Sequence, residues 1–242
     1  AYDQREGKIW YNNELVDWND VKLHVLSHGL HYASCVFEGL RVYDGEIFKL
    51  EEHTERLFHS AKRMDIKIPY SEDEINKSTT KTVSVENVQN GYVRPFVWRG
   101  SEQMAVSAQK TKIHVAIAAW EWGTYLGDEA LESGVHMMVS SFTRHHINVS
   151  MTKAKISGNY VNSVLAKTLA LRSGYDEAIM LDTNGYVSEC SGENLFVVND
   201  QDIETPPRAT ILEGITRNSL ITIAKDSGYN ITENLISRDQ LY

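Results

Sequence analysis

Apolar positions recur at two periods along the chain, and the changes of period mark its elements. Ile9-Trp10-Tyr11 and Glu14-Leu15-Val16 flank the turn-forming pair Asn12-Asn13, which predicts a hairpin. Residues 36–43 and 47–50 flank Asp44-Gly45 in the same way and predict a second. Leu50, Thr54, Leu57, Phe58, Ala61 and Met64 then fall three and four apart, the spacing of one helix face, and predict a helix over residues 51–65. Ser71, followed three residues later by Glu74, is a capping-box signature for another helix carrying Ile75 and Val83. Strands are expected over residues 92–98 and 113–120.

In the second half a strand is expected over residues 135–140. A helix over 159–173 follows, with Val161, Val164, Leu165, Thr168 and Leu169 on one side and Gly174 ending it. Residues 177–181 and 193–198 read as strands around an Asn184-Gly185 hairpin turn. A helix over 216–227 has Leu220, Ile221 and Ala224 inward and stops at Gly228, and a last strand is expected near 234–237. Strands and helices alternate without a regular βαβ rhythm, so the expected class is α+β with antiparallel or mixed sheets. Trp122-Gly123-Thr124-Tyr125-Leu126-Gly127 reads as a linker. The expected division is a small α+β domain over 1–121, a linker over 122–134 and a large domain over 135–242.

Composition narrows the function. Among 242 residues, 33 acidic and 24 basic side chains give a net charge of -9, which argues against a nucleic-acid partner. Two cysteines, Cys35 and Cys190, are too few for a disulfide scaffold or a four-cysteine zinc site, and a reducing cytoplasmic location is the simplest expectation. No apolar run reaches the roughly 18 residues that span a bilayer, so no membrane partner is expected. The charge is also uneven. Between Glu132 and Asp176 there is no acidic residue, while Arg144, Lys153, Lys155, Lys167 and Arg172 lie within. Either an anion is accommodated there or a buried sheet excludes carboxylates.

Three motifs carry candidate chemistry. Ile211-Leu212-Glu213-Gly214-Ile215-Thr216 puts a glycine and a hydroxyl just ahead of a helix, where free N–H groups and the helix dipole suit a phosphate. Thr216 is equally readable as an ordinary N-cap. Lys155 lies in Ala154-Lys155-Ile156-Ser157-Gly158-Asn159-Tyr160, among small and apolar neighbours that favour an uncharged, nucleophilic amine. Lys153 has much the same setting, and spacing alone does not choose between them. Ser188-Glu189-Cys190-Ser191-Gly192-Glu193-Asn194 precedes an apolar strand, and a carboxylate buried there needs a cation, either a side chain or a protonated ring nitrogen. Phosphate site, lysine and partnered carboxylate together are what pyridoxal phosphate chemistry requires. His24, His28 and His31 offer a rival metal site on one helical face. Gly29 interrupts that helix and no carboxylate lies between the three, so no metal is expected. Cys190 gains no thiolate activation from Glu189 beside it.

With these motifs in order, the chain resembles the bacterial branched-chain amino acid aminotransferases of the fold-type-IV pyridoxal phosphate enzymes. The resemblance rests on His28-Gly29-Leu30-His31-Tyr32, on Val36-Phe37-Glu38-Gly39-Leu40-Arg41, on Tyr92-Val93-Arg94-Pro95 and on Trp122 through Gly127. Residues 155–160, 188–196 and 212–217 complete it, and it runs from about Ile9 to Tyr242. It implies a two-domain fold-type-IV architecture and pyridoxal 5'-phosphate as cofactor. It also implies ping-pong transamination of L-leucine, L-isoleucine and L-valine with 2-oxoglutarate, giving 2-oxo acids and L-glutamate. Lys155, rather than Lys153, matches the lysine that binds the cofactor covalently and moves the substrate Cα proton. Glu189 matches the partner of the pyridine nitrogen, Tyr160 the phenol beside the cofactor 3′-oxygen, and Arg56, Ile215 and Thr216 the phosphate contacts. Tyr32, Phe37, Gly39, Tyr92, Trp122 and Tyr125 match the substrate pocket, and Arg94 the residue that admits the second carboxylate of glutamate.

The resemblance also implies a homodimer or larger homo-oligomer whose subunits share residues. Ser157-Gly158 stands where many relatives have Gly-Gly, and Cys190-Ser191 where Gly-Ala is common. The alternative within the same fold is a D-amino acid or (R)-amine transaminase. Relatives continue beyond the position of Tyr242 with a strand, a helix and a Gly-Thr-Ala stretch. A C-terminal part is therefore expected to be missing from this sequence.

Overall fold

The computed structural model describes residues 1–123, 127 and 129–242. It divides into two compact units, Ala1–Asp128 with Ala154–Gly158, and Glu129–Lys153 with Asn159–Tyr242. The break at residue 128 falls inside the expected linker, and the short stretch 154–158 joins the first unit rather than the large domain of which it was expected to form part. No helix among the described residues is long and apolar enough to cross a membrane.

In the first unit β1 (Lys8–Tyr11) and β2 (Glu14–Asp17) form the expected hairpin, with Asn12 and Asn13 both at positive φ, as a two-residue turn of this hand requires. A short helix α1 (His28–Tyr32) precedes β3 (Cys35–Phe37), β4 (Leu40–Tyr43) and β5 (Glu46–Ile47). Helices α2 (Leu50–Arg63) and α3 (Glu72–Val85) follow, then the long strands β6 (Gly91–Arg99) and β7 (Ile113–Glu121). The start of α3 is the expected capping box: Glu74 N–H donates to Ser71 Oγ, and Ser71 N–H donates to Glu74 Oε2 at 2.7 Å. The strands form one sheet in the order β2-β1-β7-β6-β4-β5, with β3 also on β6. One apolar cluster, including Val36, Leu40, Leu57, Ile75, Val93, Val97, Val115 and Ile117, lies under it, and Ala154 and Ile156 belong to the same cluster.

The strand expected over 36–43 is broken. Phe37 faces Phe96 and Leu40 faces Val93 in one continuous register, which sets Glu38 opposite Pro95. Pro95 has no N–H to donate, so the ladder lapses there and only Glu38 N–H to Pro95 O, 2.9 Å, remains. Glu38 and Gly39 occupy the gap.

The second unit opens with α4 (Glu129–Ser133) and β8 (Met137–Val139). The helix α5 (Tyr160–Arg172), β9 (Glu177–Leu181) and β10 (Val187–Cys190) follow, and β8 runs parallel and β10 antiparallel to β9. The partner of β9 across the Asn184-Gly185 turn is therefore Val-Ser-Glu-Cys and not the expected 193–198. All four residues of β10 are buried, two of them polar, a pattern that alternation does not flag. β11 (Val197–Asn199), β12 (Asp202–Thr205) and β13 (Asn230–Glu233) form a third sheet, with α6 (Ile215–Asp226) before β13. The last strand thus precedes the expected 234–237.

The expected faces of two helices need correction. Val161, Val164 and Leu165 of α5 are exposed, and Ser163, Ala166 and Ala170 are buried instead. Apolar residues surround α5 on both sides, so spacing does not select its inward face. Small side chains let it approach the sheet, where Ala166 and Ala170 pack with Ala178 and Met180. Leu220 of α6 is likewise exposed, and Arg217 is the residue that α6 buries.

Candidate active site

In the first unit the interrupted strand and residues 154–158 meet. Phe37 N–H donates to Lys155 O at 3.2 Å, Val36 bridges Ile156, and Lys155 N–H donates to Ser60 Oγ at 2.9 Å. These contacts fix the Lys155 backbone, and its ammonium lies 4.8 Å from the centre of the Phe37 ring. The Arg94 guanidinium sits over the same ring at 4.5 Å. Arg94 Nη2 donates to the Tyr92 hydroxyl at 2.8 Å, and the Tyr92 ring packs edge-on against Trp122 at 5.0 Å. Gly39 closes the cluster, since a Cβ there would meet Tyr92 Oη at 1.9 Å. Phe37, Gly39, Tyr92, Arg94, Trp122 and Lys155 are thus brought together. Tyr32 is half exposed on α1, stacked on the His28 ring at 4.5 Å, and Tyr125 lies outside the described residues. His28 itself is buried, within hydrogen-bond distance of Ser34 Oγ and Ala105 O, a core role rather than one of three ligands.

Arg56, on α2, pairs side-on with Glu38: Nε to Oε1 at 2.7 Å and Nη2 to Oε2 at 2.8 Å. His53, one turn earlier, reaches Oε2 at 2.7 Å. Spacing gave no sign of Glu38 or His53, because the pair forms only when α2 lies against the strand break.

The second unit holds the other candidates. A bulge between Val187 and Glu189 shifts the register of β10 and re-aims Glu189. Its carboxylate is buried. Arg144 Nε lies 2.7 Å from Oε1 without its N–H pointing at the oxygen, so this contact is an ion pair rather than a directed hydrogen bond. Asn194 Nδ2 and the Leu212 N–H each donate to Oε2 at 3.1 Å. Asn194 also donates to Leu212 O at 3.0 Å, which ties Glu189 to the loop leading into α6. The cation that the buried carboxylate requires is therefore in part a side chain, Arg144. It came from the acid-free stretch, which was the one signal for it in the sequence. Beside it, burial and then the Arg144 charge push His145 down to about 4, so that ring is neutral near pH 7. Burial and the surrounding carboxylates push the Cys190 thiol up, which disfavours its thiolate.

Gly214 is the N-cap of α6, and the helix begins at Ile215. The first-turn N–H groups of Ile215 and Thr216 have no intrahelical acceptor by helix geometry, and Thr216 is exposed within that turn rather than capping it. A Cβ at Gly214 would meet Asn194 Oδ1 at 2.0 Å, so the backbone ahead of the helix is necessarily bare. Tyr160 opens α5. Lys153 is engaged elsewhere: its ammonium donates to Arg208 O and pairs with Glu213 at 3.0 Å. Burial raises the Glu213 carboxyl, but Lys153, with Arg208 and Arg217, outweighs it and the net shift is downward.

The second unit thus offers a bare helix N-terminus joined through Asn194 to a buried carboxylate, and the first a lysine held over an aromatic ring. The amino-transferase class IV family matches residues 35–242, and the chain belongs to it. Within the class, the chain is 51% identical over 242 residues to the branched-chain-amino-acid aminotransferase of Pseudomonas aeruginosa, covering 98% of this chain and 79% of that protein. It is also similar to the crystal structure of the Escherichia coli branched-chain amino acid aminotransferase, with a TM-score of 0.96 at 43% identity over 98% of this chain and 80% of that one. A third similar structure, the T.th. branched-chain amino acid aminotransferase complexed with N-(5'-phosphopyridoxyl)-L-glutamate, superposes with a TM-score of 0.91 at 42% identity, covering 98% of this chain and 79% of that one. The donors here fit a pyridoxal phosphate: bare N–H groups for an anion, a buried carboxylate for a ring nitrogen and a lysine for a carbonyl.

Proposed function

We propose that this chain transfers the amino group of L-leucine, L-isoleucine and L-valine to 2-oxoglutarate, using pyridoxal 5'-phosphate. The observation that carries the reading is the Phe37 ring with the Arg94 guanidinium at 4.5 Å and the Lys155 ammonium at 4.8 Å. An apolar wall, a carboxylate receptor and an amine on one side chain match an amino acid that is branched in one half-reaction and acidic in the other. The cofactor supplies a carbonyl for the amine and a ring that accepts the electron pair of the Cα–H bond. Lys155 holds and returns the proton at substrate Cα. Glu189 keeps a proton on the ring nitrogen, and Arg144 beside it favours the anionic carboxylate this requires. The Ile215 and Thr216 N–H groups and Arg56 bind the phosphate, and Tyr160 donates to the 3′-oxygen.

Phe37, Tyr92 and Trp122, with Tyr32 and Tyr125, hold the apolar side chain, while Arg94 turns to the second carboxylate of glutamate. Gly39 leaves room for the Tyr92 hydroxyl that supports Arg94. The enzyme works in the cytoplasm as a homodimer or larger homo-oligomer, a reading supported by the resemblance; light scattering would test the oligomer. Borohydride reduction and peptide mapping should place the cofactor on Lys155, and L-leucine and L-glutamate should each discharge the cofactor absorbance. Label on Lys153, or discharge by D-alanine alone, would refute the assignment.

A further inference from the structure

Glu38 is fully buried in the gap between β3 and β4. An isolated carboxylate there is costly and persists only when paired. Both oxygens are engaged by Arg56, and His53 adds a third contact. The carboxylate is itself held at its root, by Glu38 N–H to Pro95 O at 2.9 Å and Gly39 N–H to Glu38 Oε2 at 3.3 Å. Burial alone raises the Glu38 carboxyl; Arg56 and His53 outweigh it and bring it to about 2, so it is charged at neutral pH. A fork-on-fork pair fixes the plane of a guanidinium as well as its place. With Nε and Nη2 on the carboxylate, the direction of Nη1 is set by a strand and not by a flexible stem.

We propose that Glu38 and His53 are positioning residues that aim Arg56 at the cofactor phosphate, so that the break opposite Pro95 helps set cofactor affinity. This rests on the assignment of Arg56 to the phosphate made above. A purely structural ion pair predicts something different. Disturbing it would loosen the fold and weaken every ligand alike, whereas an aiming pair acts on the phosphate alone.

The test titrates the apoprotein of the full chain with pyridoxal 5'-phosphate and with pyridoxal, which lacks the phosphate, and follows tryptophan fluorescence. R56A should raise the dissociation constant for pyridoxal phosphate about tenfold or more and leave that for pyridoxal unchanged. E38Q should raise it about tenfold with the same selectivity, and R56K, which keeps the charge but loses the fork, should do likewise. H53A is the milder variant should E38Q not fold, with an expected loss of about threefold confined to pyridoxal phosphate. If R56A is selective while E38Q and H53A weaken both ligands equally, or neither, the positioning role is overturned and the Arg56 assignment stands. If R56A leaves pyridoxal phosphate binding unchanged, the Arg56 assignment fails. Native affinity in R56K would overturn the directional role.

Discussion

Replacing Gly39 with alanine tests the geometry of the Arg94 support directly. Gly39 is not at positive φ, so the methyl group brings no backbone strain and its whole effect is contact. The new Cβ would lie 1.9 Å from Tyr92 Oη, 2.7 Å from Cζ and 3.2 Å from Cε2. Restoring ordinary contact requires the hydroxyl to retreat by about 1.5 Å. Its ring is confined by Trp120 at 5.2 Å and Trp122 at 5.0 Å, so retreat means rotation away from Arg94. The 2.8 Å hydrogen bond from Arg94 Nη2 is then lost, on a guanidinium whose buried Nε already lacks a partner among the described residues. Overpacking costs about 1–3 kcal/mol and a lost charge-assisted hydrogen bond about 1.5–3 kcal/mol. With partial relaxation the expected destabilisation is about 2–4 kcal/mol. Urea unfolding of the parent, G39A, Y92F and the double variant measures it as a cycle. In the Y92F background the nearest obstacle recedes from 1.9 to 2.7 Å, so G39A should cost at least about 1 kcal/mol less there. Equal cost in both backgrounds would refute the reasoning.

Three further outcomes are expected. The Glu38 carboxyl lies at about 2 in the fold, below its ordinary 4.5, so its stabilisation is complete above about pH 4.5 and is lost as pH falls toward 2. It amounts to about 3 kcal/mol, and urea midpoints compared at pH 6 and pH 3 should show a smaller drop in E38Q than in the parent. R144M removes the guanidinium 2.7 Å from the buried Glu189 and should cost about 3 kcal/mol, read as a fall in the thermal midpoint. G214A drives a methyl group against Asn194 Oδ1 and so disturbs the amide that holds Glu189 and Leu212; titration with pyridoxal phosphate should show about a tenfold weaker complex.

Local signals were strong where a single residue type dictates conformation. Asn12-Asn13 and Ser71 with Glu74 set a turn and a helix start without help from the rest of the chain, because backbone φ and capping are satisfied within a few residues. Position along a helix face was legible on α2, whose apolar residues lie on one side, and illegible on α5, whose apolar residues lie on both. There the sheet selects Ser163, Ala166 and Ala170 by size. Candidate chemistry followed the same division. Lys155, Glu189 and the run from Gly214 to Thr216 stand in motifs that mark them, whereas Glu38 and His53 are ordinary polar residues until a fold buries them.

The choice between Lys153 and Lys155 shows where the boundary lies. By sequence the two lysines share small neighbours and an acid-free stretch, and only resemblance separates them. In three dimensions Lys153 is held by Glu213 and the Arg208 carbonyl, and Lys155 lies on the Phe37 ring with its backbone tied to Ser60 and Phe37. Sequence alone determined the first hairpin turn, the start of α3 and the residue types available for the chemistry, since these depend on neighbours a few positions away. Tertiary structure decided which charges meet. Arg144 with Glu189 and Arg56 with Glu38 are separated by 45 and 18 positions, and a buried ion pair exists only once packing has removed the water from both partners.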